Sequence, residues 1–408
     1  MGFRIVTATV MVLAVLVGWV YSAAAWDTGS GGDPAWGSVT LGGTSTDYGF
    51  GVAVDSSGNV YTTGYFFGTV NFGAGNVISV GNSDVFVTKL NASGVHQWTT
   101  TFGGTSVDYG YGVAVDSSGN VYATGNFQRT VDFGAGNVTS AGVADVFVTK
   151  LNASGVHQWT TTFGGTSNDY GFGVAVDSSG NVYTTGHFQG TVNFGAGNVI
   201  SAGSADVFVT KLNASGVHQW TTKLGGTSTD YGYGVAVDSS GNVYATGYFA
   251  GTVNFGAGNV TSAGSNDVFV TKLNASGVHQ WTTTFGGTSA DYGRSVAVDS
   301  SGNVYATGYF QGTVNFGAGN VTSAGSADVF VTKLNASGVH QWTTTLGGTN
   351  ADVGYGVAVD SSGNVYATGY FIGTVNFGAG NVTSTGGADV FVVKLNSAGQ
   401  VCVSCGWN

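Results

Sequence analysis

Apolar and polar residues sort into short blocks along this chain, and the blocks return in the same order many times. In the first complete set, Gly51-Val52-Ala53-Val54-Asp55 reads as a short apolar strand closed by the turn Ser56-Ser57-Gly58-Asn59. Val60-Tyr61-Thr62-Thr63-Gly64-Tyr65-Phe66 follows across a tight hairpin as a second strand. A Gly- and Asn-rich connection from Gly68 to Ser83 leads to a third, Asp84-Val85-Phe86-Val87-Thr88-Lys89-Leu90. The turn Asn91-Ala92-Ser93-Gly94 opens a fourth, Val95 to Phe102, which carries Trp98. These runs are short, β-branched and aromatic, and bounded by turn residues, which marks strands rather than helices.

The spacing of the sets is strict. The triplet Gly-Gly-Thr begins at Gly42, Gly103, Gly164, Gly225, Gly286 and Gly347, always 61 residues apart. That period suits a four-stranded propeller blade and is too long for a helical solenoid unit. The expected fold is therefore all-β: a six-bladed β-propeller of four-stranded antiparallel blades over residues 34–399. The first strand of each set is the smallest and most apolar, which places it innermost, with Gly49 and Gly51 letting neighbouring sheets come close. The fourth, with its Trp and Phe, suits the rim. Before the first triplet, Ala35 to Leu41 resembles a fourth strand, with Trp36 one residue early; after the sixth third strand, the His-Gln-Trp signature is gone. The N-terminal strand is thus expected to complete the last blade and leave no open sheet edge.

Composition supports this and narrows the function. All 21 acidic residues are Asp, 72 of the 408 residues are Gly, and only 8% are charged. Residues 1–25 have the form of a signal peptide: Arg4, then an apolar run from Ile5 to Tyr21, then Ser22-Ala23-Ala24-Ala25 for cleavage. Residues 26–33 form a short linker. No later run is long enough to span a bilayer. The expectation is a secreted, extracellular or cell-surface monomer, with the periplasm as the alternative. Without Arg4, 21 acidic residues face 9 basic ones, a net charge of −12, and no basic stripe is present to track nucleic acid. The tail, residues 400–408, holds Cys402 and Cys405, read as a local disulfide; a zinc site would need two further ligands, and a redox pair a helix N-terminus.

The run "GGTSTDYGFGVAVDSSGNVYTTGYF…DVFVTKLNASGVHQWTTTFGG" resembles the bacterial extracellular β-propeller repeat family of SBBP type, whose common name advertises seven blades. The resemblance extends over nearly all of residues 42–399. Two departures stand out: six copies here, and an added "GTVNFGAGNV" stretch in the connection between second and third strands. It implies an exported repeat protein with a binding or surface role and brings no catalytic residues.

Candidate sites come from positions that every set shares. Asp55 and its copies read as turn caps and Asp84 and its copies as structural. Asp47, Asp108, Asp169, Asp230, Asp291 and Asp352 precede the first strand and are expected around the mouth of an axial channel. Just after them stand Phe50, Tyr111, Phe172, Tyr233, Arg294 and Tyr355, five aromatics and one arginine. Together the two rings are candidates for binding a glycan or a protein; the competing reading makes the Asp a turn cap and the aromatic a wedge between blades. His96, His157, His218, His279 and His340 fall on the rim, too far apart to share a metal, and His187 stands alone. No metal, cofactor or catalytic constellation is expected. The expected role is a multivalent binding or scaffold module; the alternatives are a purely structural matrix or envelope protein, and a hydrolase or lyase with its site at the channel mouth.

Overall fold

The computed structural model describes residues 39–378 and 380–402. The signal peptide, the linker, Trp36 and Cys405 lie outside the described residues. Among those described, every regular element is a strand. In the first repeat Tyr48–Val54, Val60–Phe66, Asp84–Leu90 and His96–Gly104 pair in that order, each antiparallel to the next. The next four repeats copy this arrangement, and the sixth contributes three strands, the third being Asn381–Leu395.

The second and third strands fall where alternation places them. The first differs: it starts at Tyr48 rather than Gly51, because Tyr48 and Gly49 pair with Tyr65 and Gly64 despite the poor strand propensity of Gly. The Gly68–Ser83 connection is also more ordered than its composition suggests. It folds a hairpin, Thr69–Asn71 with Asn76–Ile78, tied by the Asn71 side chain accepting the Gly73 and Gly75 N–H groups. In the second and fourth repeats the equivalent hairpin pairs with the end of the preceding repeat's fourth strand, as in Val131 opposite Gly104.

Among the described residues five of the six apolar cores lie between two repeats rather than inside one. Tyr61, Val85 and Phe102 of the first repeat pack with Val121, Phe127 and Phe147 of the second. A second device joins the same pair. The Trp98 Nε1–H donates to the Ala153 carbonyl at 3.1 Å, and the Thr100 hydroxyl donates to the Gly155 carbonyl at 2.6 Å. Gly155, at φ +79°, sits beneath the Trp98 ring, where a Cβ would come within 2.6 Å. The lock recurs at Trp159, Trp220, Trp281 and Trp342. A single repeat therefore buries its apolar faces only with neighbours on both sides.

Candidate functional site

Within each first strand the register slips by one residue. Gly49 lies opposite Gly64 and Gly51 opposite Thr63, so Phe50 has no cross-strand partner. The same slip strands Tyr111, Phe172, Tyr233, Arg294 and Tyr355. A bulge of this kind re-aims the extra side chain. All six line a single cavity of about 520 Å³, with small residues such as Gly51 and Gly112 behind them. Those glycines are required by the approach of the inner strands: a Cβ on Gly51 would lie 2.8 Å from the Tyr111 carbonyl oxygen.

The six side chains form a wall of touching groups. Ring centroids are 5.1 Å apart for Phe50–Tyr111 and 5.0 Å for both Tyr111–Phe172 and Phe172–Tyr233. Arg294 continues the series, its guanidinium 4.3 Å from the Tyr233 centroid and 5.7 Å from that of Tyr355. Burial pushes the Tyr111 and Tyr233 hydroxyls above the usual phenol range, so both remain neutral donors. At such spacings the six positions build one composite surface.

A second tier of rings went unnoticed in the sequence. Tyr65 lies 4.9 Å from Tyr48 and 4.5 Å from Tyr109, and it also contacts Phe50. The signal available was the Tyr-Gly-aromatic spacing at the start of the first strand in the first four repeats. His187 takes the place of Tyr65 in the third repeat. It is 3% exposed and stacks on Tyr231 at 3.8 Å, and burial pushes its pKa down to about 3.

The aspartate ring does not face this cavity. Asp169 is fully buried; its Oδ2 accepts the Gly165 N–H at 2.8 Å and its Oδ1 the Gln189 N–H at 2.9 Å. Asp108, Asp230 and Asp291 repeat this with their own neighbours, as do Asp47 and Asp352, and each carboxylate ties the end of a fourth strand to the end of a second. These carboxylate atoms buttress the backbone. Asp55 is a turn cap as expected, accepting the Ser57 and Asn59 N–H groups, the Asn59 amide and the Tyr61 hydroxyl.

Elsewhere, a second cavity between the first two repeats is bordered by Asp84, Asp132 and His157. In the third repeat the equivalent carboxylate, Asp206, is covered by Lys223, whose Nζ lies 3.3 Å from Oδ2 and 3.1 Å from the Ile200 carbonyl. Among the described residues no group of three or more His, Cys, Asp or Glu could hold a metal ion, and no helix is long and apolar enough to cross a membrane. The rim histidines each bond a threonine hydroxyl on their own strand, as His96 Nε2 does with Thr99 at 2.9 Å. Cys402 is disulfide-bonded.

Comparison with known proteins agrees with this architecture. The SBBP family model, described as a beta-propeller repeat, matches six times, at residues 40–65, 97–126, 158–187, 219–248, 280–309 and 341–370. An uncharacterized WD repeat-containing protein of Acanthamoeba polyphaga mimivirus is 23% identical, over 88% of this chain and 33% of that protein. The regulatory protein FlaEY of Caulobacter vibrioides is 26% identical, over 89% of this chain and 41% of its own length. The chain thus spans between a third and two fifths of these two relatives. Among solved structures, a puromycin hydrolase aligns with 10% identity and a TM-score of 0.42, covering 90% of this chain and 55% of that one.

Proposed function

The chain belongs to the SBBP beta-propeller repeat family, and we propose that it is an exported binding module whose ligand, a glycan, seats in the axial cavity. The observation that carries this reading is the convergence of Phe50, Tyr111, Phe172, Tyr233, Arg294 and Tyr355 on one cavity. Aromatic rings offer flat apolar faces to the C–H face of a sugar ring, while tyrosine hydroxyls supply donors at the edges. A cavity of about 520 Å³ falls within the range of small-ligand sites.

We also propose that the repeats close as a six-bladed ring, with the N-terminal strand that ends at Leu41 supplying the fourth strand of the last sheet. Three features of the described residues support it. Leu41 packs against the cluster of Phe66, Val70 and Phe72, in the position Phe102 takes one repeat later. Gly42 and Gly43 pair with Asn71 and Val70, in the register that Gly103 and Gly104 adopt with Asp132 and Val131. On the third strand of the sixth repeat, Val390 is 52% exposed where its counterparts are fully buried, which is the edge such a strand would cover.

A glycan array probed with the mature chain, beside a Tyr111→Ala/Phe172→Ala variant of verified fold, tests the binding reading. Saturable binding that the double variant loses is the expected result. Binding that survives the double substitution, or none by the wild type, would overturn it.

A further inference from the structure

Five repeats place an aromatic and then a glycine at the bulge, and the fifth repeat alone places Arg294 and Ser295 there. Both substituted residues line the cavity. The Arg294 guanidinium is surrounded by four tyrosine rings, with centroids at 4.3 Å for Tyr233, 5.6 Å for Tyr292 and Tyr309, and 5.7 Å for Tyr355. Its Nε is buried and has no acceptor. No carboxylate neutralises it: among the described residues the ion pair present is Lys223 with Asp206, in another repeat. Ser295 Oγ accepts the Val357 N–H at 3.3 Å, which leaves its own hydrogen to be donated.

A partly buried cation without a counter-ion is costly, and cation–π contacts together with hydrogen bonds to the Tyr233 and Tyr309 hydroxyls offset part of that cost without supplying an anion or an acceptor for Nε. Every other repeat satisfies the same position with an uncharged ring. The two departures from symmetry are adjacent, share one wall, and bring donors and positive charge into a space otherwise walled by aromatic rings, valine and glycine. What is missing at that wall is an anionic acceptor.

We propose that the cavity selects an acidic saccharide, its anionic group forked by Arg294 and accepting from Ser295 while the sugar ring stacks on the aromatic wall. Guanidinium geometry matches a carboxylate through two parallel hydrogen bonds, a match an ammonium does not reproduce. The inference rests on the saccharide reading of the cavity and adds the charge of the ligand.

The test is a set of uronate-containing oligosaccharides, their carboxyl-reduced counterparts and their sulfated analogues, titrated against wild type, Arg294→Gln, Arg294→Lys and Ser295→Gly. Thermal unfolding confirms the fold of each variant. Wild type should favour acids over matched neutral sugars by roughly ten- to a hundredfold, the worth of hydrogen bonds to a charged group. Arg294→Gln should bind both at the neutral level, and Arg294→Lys should recover only part of the preference. A preference for the uronates identifies the anion as carboxylate, and one for the sulfated forms as sulfate. Equal binding of acids and neutrals by wild type would overturn the charge selectivity and leave the aromatic site standing. An acid preference that survives Arg294→Gln would overturn its placement, and no saccharide binding at all would remove both readings.

Discussion

Replacing Asp169 with Asn separates two influences that act on the buried aspartates in opposite directions. Burial, the larger, pushes the Asp169 pKa up from 3.8 to about 6; the Gln189 and Gly165 N–H groups pull it down, and nearby Asp145 adds to the rise. The folded-state value therefore lies above the unfolded one. Between these values the folded chain keeps a proton that the unfolded chain gives up, so this group's contribution to stability is fully present below pH 3.8 and is lost as pH rises through 6. At 1.36 kcal/mol per pH unit, the full swing is about 3 kcal/mol. Asparagine has no such proton. At pH 4 the protonated carboxyl of wild type and the amide of the variant each offer one good acceptor to the two buried N–H donors, and the two proteins should be similarly stable. On going to pH 7.5 wild type should lose up to about 3 kcal/mol relative to the variant, which should then be the more stable. Urea unfolding followed by tryptophan emission at pH 4, 5, 6 and 7.5 reads both quantities. Parallel pH profiles for the two proteins would refute the reasoning and mean that the paired N–H groups keep the carboxylate ionised throughout.

Two further substitutions probe the lattice that holds the site. Gly216→Ala places a Cβ within 2.7 Å of the Trp159 ring at φ +79°. The left-handed backbone alone costs an alanine about 1–2 kcal/mol, so the melting temperature should fall and Trp159 emission should shift; an unchanged melting curve would argue that the lock carries no stability. Arg129 has φ 60°, where the equivalent residues in the other repeats are glycines. Arg129→Gly should therefore gain up to about 1 kcal/mol in chemical denaturation, and a loss would mean that the arginine side chain contributes more than its backbone strain.

Legibility of the fold followed the physics of each element. The strands Val60–Phe66 and Asp84–Leu90 could be read because β-branched and aromatic residues run between turn residues, and the 61-residue period needs only counting. The hairpin within Gly68–Ser83 escaped because its strands are three residues long and its order comes from Asn71 bonding its own turn. The bulge at Phe50 is invisible to any pattern of period two, since it exists only relative to the facing strand. For the same reason both candidate rings could be named but not told apart. Asp169 and Phe172 stand three residues apart, and the bulge between them decides which enters the cavity.

The joint between one repeat and the next has a further consequence. Trp98 on Gly155, Trp159 on Gly216 and Trp220 on Gly277 are the same knob in the same hole. Nothing in such a joint records which copy it belongs to. During folding, the rear of the second repeat can accept the front of the fifth as readily as that of the third, and only the length of the linking chain favours the correct neighbour. The same indifference holds between molecules, so crowded, half-folded chains can splice into one another's repeats. For the lineage it is permissive: a duplicated or deleted unit arrives with two fitting faces, and recognition between neighbours sets no limit on the number of copies.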